Sequence, residues 1–101
     1  AIFSANTLHI MGWGGVEAFF AGAGRTLGTE GRLVVYGPFN YGGMFTSASN
    51  RQFDRWLKAR DPLSGVRDVE AVHALAEAAG FAPEADHDMP ANNRLLVWHK
   101  R

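Results

Sequence analysis

The first stretch with residue types suited to ligand chemistry is Asn6-Thr7-Leu8-His9. An amide and a hydroxyl can hydrogen-bond a ligand, and the His9 imidazole can orient a nucleophile or take its proton near neutral pH. The plainer reading is that Asn6 and Thr7 satisfy loop backbone and that His9 packs within a loop. A second group is Tyr36-Gly37-Pro38-Phe39-Asn40-Tyr41. Tyr36 brings a phenol, Asn40 an amide, and Phe39 and Tyr41 bring rings that could equally be apolar cover for a sheet end. Further on, Asn50 and Asp54 could face a substrate, whereas Ser49 with Gln52 three residues later matches a capping box. Asn92 and Asn93, after Met89-Pro90-Ala91, could reach into a pocket or hold a tight turn, since Asn tolerates left-handed backbone. His9 and Tyr36 are the candidates for catalytic proton transfer. Tyr36, Phe39, Asn40, Asn50, Asp54, Asn92 and Asn93 are candidates for the substrate side.

Two other patterns carry less. His87 between Asp86 and Asp88 looks metal-like, but successive residues of a strand face opposite ways, so the three do not converge and no metal site is expected. Gly12-Trp13-Gly14-Gly15 gives G-x-G-G without the spacing of a phosphate loop. Arg60, Asp61, Arg67 and Asp68 read as surface ion pairs.

Bulk properties narrow the classes. Lys plus Arg and Asp plus Glu are ten each, so the formal charge is zero and no basic field for phosphate backbones is expected. Arg51, Arg55, Lys58 and Arg60 cluster, but Asp54 and Asp61 lie among them. The apolar fraction of 47%, with seven Phe and three Trp, suits a folded chain rather than a disordered one. The absence of Cys excludes disulfides and thiolate metal sites and suits a reducing compartment, so a cytoplasmic location is expected. No apolar run approaches a transmembrane span. Neither a membrane nor a nucleic acid is expected as a partner.

The elements that must position these residues follow from periodicity. Residues 1–10 form an apolar run that fits a buried strand ending in polar residues. Met11 to Gly15 punctuates it, and Val16, Phe19, Phe20, Ala23 and Leu27 then recur at helical spacing, with Gly28 and Gly31 closing the helix. Arg32–Tyr36 is a β-branched strand stopped by Gly37-Pro38, and residues 39–48 read as a loop. A short helix capped by Ser49 ends at Asp61-Pro62. A third helix spans Val69 to Ala79, with Asp68 as N-cap and Gly80 after it. Phe81–Asp88 and Arg94–His99 read as an antiparallel pair around a turn at 89–93. The order β-α-β-α-α-β-β predicts an α/β fold whose parallel strands end in an antiparallel hairpin.

Such a sheet resembles the C-terminal half of a class I, Rossmann-like S-adenosylmethionine-dependent methyltransferase, with this chain supplying the fourth to seventh strands. The stretches SANTLHIMGW, VVYGPFNYGGMFTSASNRQFD, RDPLSGVRD and MPANN more narrowly resemble DUF938, a family of methyltransferase-like proteins of unknown function. The resemblance covers essentially the whole chain. It implies S-adenosylmethionine as the cofactor of the intact protein, with Asn6, Thr7, Leu8 and His9 beside its methionine part and a small molecule as methyl acceptor. Phe39 and Tyr41 would then suit a cationic methyl sulfonium. The family's glycine-rich loop and ribose-binding acid belong upstream. The chain opens inside an apolar strand at Ala1-Ile2-Phe3, so the expectation is a single partial domain whose N-terminal half is missing. The fragment by itself is expected to be inactive, and its exposed first strand is expected to pair with a second copy. The alternative is a methyltransferase-like binding or interaction domain without turnover.

Overall fold

The computed structural model describes all residues except Ala1, Asn6, Thr7, Ala91 and Asn92. The elements are β1 (Ile2–Ala5), α1 (Trp13–Thr26), β2 (Arg32–Gly37), β3 (Phe39–Asn40), α2 (Ala48–Arg60), β4 (Arg67–Asp68), α3 (Val69–Ala78), β5 (Phe81–Met89) and β6 (Asn93–Lys100). Four strands form one sheet in the order β1-β2-β6-β5. β1 and β2 run parallel, and β6 lies between β2 and β5, antiparallel to both. This is the α/β sheet expected from the element order, with the last strand inserted beside the second.

The registry explains the core. Leu33 pairs with Trp98 and Val35 with Leu96, so the four side chains share one face, and all are 1% exposed or less. Val16, Phe20 and Ala23 of α1 and Val69, Val72 and Ala76 of α3 join the same buried cluster. Phe20 meets the Trp98 ring edge-on at 5.5 Å, and Trp98 Nε1 donates to His73 Nδ1 on α3 at 2.9 Å. Accepting at Nδ1 places the His73 proton on Nε2. The two helices approach closely at Gly24, where a Cβ would lie 2.6 Å from the Ala79 carbonyl oxygen. The opposite face is less covered: Val34, Tyr36, Leu95 and Val97 are half-buried, and Phe3 is 66% exposed.

Several boundaries differ from the sequence reading. The first strand covers only Ile2–Ala5 of the ten-residue run. Helix α1 begins at Trp13 with Gly12 as N-cap, so Gly14 and Gly15 lie inside its first turn rather than before it. The Gly15 N–H closes the first turn by donating to the Gly12 carbonyl at 3.0 Å, and glycines disturb little at a helix start. After the helix the left-handed residue is Glu30 (φ 70°), not Gly28 or Gly31. Ser47, not Ser49, caps α2: its hydroxyl accepts from the Asn50 N–H at 3.1 Å. The capping-box match failed because Ser49 already sits in the first turn. Asp68 does hold the N-cap position of α3, but its side chain makes no capping bond. Residues 39–40, read as loop, pair in parallel with Arg67–Asp68 to form a second, two-stranded sheet. Asn93, read as turn, opens β6.

Replacing Trp98 with Phe removes the indole N–H, leaves His73 Nδ1 without its donor and opens space in the core. Trp98→Phe is expected to lower stability by about 2 kcal/mol. His73→Ala should cost less, because that side chain is only half-buried. Urea unfolding of both variants checks the order, and an unchanged midpoint for Trp98→Phe would remove the indole from this role.

Candidate functional site

In open α/β sheets ligands lie outside the carboxyl ends of the strands. Here that edge carries the loop after β1, the β2–β3 junction and the start of β6. Asn6, Thr7 and Asn92 lie outside the described residues, so the loop is built from Leu8 onward. Leu8 is 2% exposed and belongs to the core, which leaves only its backbone for a ligand. His9 is 5% exposed, with its ring edge-on to Phe53 of α2 at 5.3 Å. Its ring nitrogens make no hydrogen bond to the described residues.

What positions His9 is a set of bonds to its loop backbone. Gly65 N–H donates to the His9 carbonyl at 2.9 Å. The Arg67 guanidinium donates to the carbonyls of Leu8 (3.4 Å), Met11 and Leu63 (2.8 Å), and lies over the Trp13 ring at 5.6 Å. Arg67 thus ties the loop after β1 to the segment before β4, rather than forming the surface ion pair expected from sequence. A lone carbonyl gains more from a charged donor than from a neutral one, and three share this guanidinium. Asp54 serves the same segment: its Oδ1 accepts from the Val66 N–H at 2.9 Å and its Oδ2 pairs with Lys58 at 3.1 Å. Gly65 (φ +155°) faces that carboxylate so closely that a Cβ would lie 2.9 Å from Oδ1.

Burial and the nearby Arg67 charge together hold the His9 imidazole below its ordinary value of 6.5. The ring is therefore neutral at physiological pH, as a proton acceptor must be. Tyr41 goes the other way. Burial, a 2.6 Å bond to Asp86 and the charge of that carboxylate push its phenol up to about 12. It is a fixed donor, not a base.

The other predicted residues divide between two places. Tyr36 and Asn93 come together, with Asn93 Nδ2 donating to the Tyr36 hydroxyl at 3.1 Å. Tyr41 and Arg94 converge on Asp86, and Arg94 also pairs with Asp88. These bonds fasten the turn after β3 to the β5–β6 hairpin and occupy both carboxylates that flank His87. Phe39, at 2% exposure, is in the core, so its ring is not offered to a ligand. Asn50 is buried and bonds Thr46 Oγ1 at 3.0 Å. Asn40 is 6% exposed and donates to the Val66 carbonyl at 3.3 Å. No bond joins His9 to Tyr36. Arg67 and Trp13 were missed as site residues, because neither motif nor spacing marks an Arg that will be spent on distant carbonyls.

The model of the family described as "Protein of unknown function (DUF938)" matches residues 1–100. The chain belongs to the DUF938 family. Solved structures share its fold. An O-methyltransferase family 2 protein from Planctomyces limnophilus, in complex with apigenin, is 16% identical with a TM-score of 0.89, over 99% of this chain and 30% of that protein. Human N-acetylserotonin methyltransferase, in complex with SAM, is 17% identical with a TM-score of 0.80, over 97% of this chain and 28% of its own. An O-methyltransferase family protein from Burkholderia thailandensis is 13% identical with a TM-score of 0.82, over 97% and 29%. The DUF938 chain spans about 30% of the length of such proteins. At these identities the likeness establishes the fold, that of the C-terminal portion of O-methyltransferases. Among the described residues no helix is long and apolar enough to cross a membrane.

The depressed His9 value has a consequence for stability. Between the folded value and 6.5 the unfolded chain binds more protons than the folded one, so stability rises with pH across that window. The contribution is fully present above about 6.5 and is lost as pH falls through the folded value. His9→Gln should therefore flatten the decline in urea midpoint between about pH 7.5 and about pH 5.5. An equal decline in both proteins would assign it to other groups.

Proposed function

We propose that the intact protein transfers a methyl group from S-adenosylmethionine to a small molecule, and that this chain forms the acceptor side of the site. The observation that carries the reading is the sheet order β1-β2-β6-β5 with its antiparallel last strand, which superposes on O-methyltransferases over nearly all of the chain. A neutral, buried His9 at the carboxyl end of β1 adds to it. On this reading the loop after β1, of which Leu8 and His9 are described, lies toward the cofactor's methionine end, with the Leu8 backbone and the His9 ring as its groups. The glycine-rich loop that grips the nucleotide is not among these 101 residues. S-adenosylmethionine supplies a methyl carbon made electrophilic by a sulfonium.

The chain's own residues prepare the acceptor. His9 takes the proton of the attacking hydroxyl or amine as that atom becomes nucleophilic. Phe53 shields one edge of the imidazole from water. Arg67 and Gly65 hold the loop so that the ring keeps its aim, and such positioning lowers the barrier because reactants meet already oriented. Tyr36 and Asn93, bonded to each other, form the neighbouring rim.

Calorimetric titration of S-adenosylhomocysteine into the protein carrying its upstream residues is expected to show saturable binding, with little for the 101-residue chain. No binding to either would favour a methyltransferase-like binder without turnover. In the active protein, His9→Ala should lower kcat by about 10²–10⁴ and remove the acidic limb of its pH profile. A variant that retains that limb would exclude His9 as the base.

For the 101-residue chain alone we also propose self-association through β1, the outermost strand of the sheet that the described residues form, with Phe3 exposed on it. Light scattering should show mass rising with concentration, and a constant monomer mass would count against it.

A further inference from the structure

A cleft of about 490 Å³ lies apart from His9, between the β3–β4 ribbon, α2 and the loop at 43–45. Its walls include Trp13, Phe45, Asn40, Asp68, Lys58 and Arg67. The size is within the range of small-molecule sites. Three features of its lining bear on what it would hold.

The first is an unpaired acceptor. Asn40 is only 6% exposed, and its Nδ2 is used on the Val66 carbonyl. Its Oδ1 is buried and has no hydrogen-bond partner among the described residues. Buried side-chain oxygens are nearly always paired, so an orphan on a cleft wall points to a missing donor. The second is the Asp68 carboxylate. It stands at the N-cap of α3, where Asp ordinarily accepts a first-turn N–H, yet it makes no such bond. Asn40 and Asp68 are register partners in the parallel β3–β4 ribbon, so they project side by side. The third is charge. Lys58 and Arg67 are matched by Asp54 and Asp68, and Lys58 is paired with Asp54 at 3.1 Å, so the lining as a whole is neutral.

We propose that this cleft binds a neutral, flat small molecule bearing a carboxamide or amino NH2 group, whose two hydrogens go to Asn40 Oδ1 and the Asp68 carboxylate. The neighbouring acceptors match two donors on one nitrogen. Trp13 and Phe45 supply ring surface for a flat body. An anionic ligand would meet two acceptors at this point, and the nearby Arg67 guanidinium is committed to the carbonyls of Leu8, Met11 and Leu63. Oδ1 is closed to solvent in this conformation, so a small movement of the wall must accompany binding. The lip is suited to that. Gly42 and Gly43 hold φ of +60° and +77°, and the Gly42 N–H is tethered to Glu70 at 2.7 Å. The site does not use His9 and no cofactor takes part in it, although it shares Trp13 and Arg67 with the supports of the His9 loop.

Benzamide titrated into the 15N-labelled protein tests this directly. It is expected to move the Trp13 indole and Asn40 side-chain amide resonances in a saturable way. N,N-dimethylbenzamide, which lacks both donor hydrogens, should bind about fivefold or more weakly, and benzoate should bind no better than it. Asn40→Leu and Asp68→Ala should each weaken benzamide while the spectrum stays dispersed. If Asn40→Leu fails to fold, Asp68→Ala together with the dimethyl probe decides the matter. Equal binding of the amide and its dimethyl form, tighter binding of benzoate, or no response at Trp13 would overturn the proposal.

Discussion

The indole of Trp98 is the contact on which the fold turns. It sits on the one strand that runs against its neighbours and reaches two helices far apart in the chain: Phe20 of α1 packs on its ring and His73 of α3 meets its N–H. A Trp buries a large apolar area and still needs a partner for its donor. Meeting both needs at once brings α1 and α3 onto the same face of the sheet and fixes the registry of β6 between β2 and β5. Slipping β6 by one residue would turn Trp98 and Leu96 outward together, so the hairpin has one workable alignment.

That alignment sets the sheet's carboxyl edge. The loop after β1 emerges there with Leu8 in the core, and polar bonds to its backbone hold the rest. Arg67 is half-buried, and burial holds its guanidinium below the usual Arg value, with Asp54 opposing. The cost of that desolvation is offset by three carbonyl acceptors and the Trp13 ring. The same side chain is a wall of the cleft beside Asn40 and Asp68. One cation therefore bounds two distinct environments, the dry niche of His9 and the polar cleft.

The two carboxylates of the segment behave differently for a geometric reason. Asp54 points along α2 into the Gly65-Val66 backbone and is consumed by it. Asp68, at the mouth of α3, leaves its capping role unfilled. Both are Asp near a helix, and only their settings separate a scaffold role from an available acceptor. Asp86 and Asp88 are a third case, taken up by Arg94 across the hairpin in pairs too exposed to add much stability.

Alternation and helical spacing were enough to read the element order, the antiparallel pair at the end and the faces of α1 and α3, because a chain of this size has few ways to bury apolar side chains such as Leu33, Val35, Val72 and Leu96 together. The motifs YGPF and MPANN, with the others, were enough to mark the family. Local sequence also marked His9 at a strand end. It misplaced the cap of α2, because Ser47 and Ser49 are chemically alike and only backbone geometry chooses between them. It missed the β3–β4 ribbon, which pairs two-residue strands 28 residues apart in register, a contact with no periodic signal. Tertiary structure alone decided that Arg67 binds carbonyls rather than a carboxylate, that Phe39 is core, and that Asn40 lacks a partner for its oxygen among the described residues. Periodicity records which residues avoid water; it does not record which distant backbone groups need a donor, and those needs are met only once the chain has closed on itself.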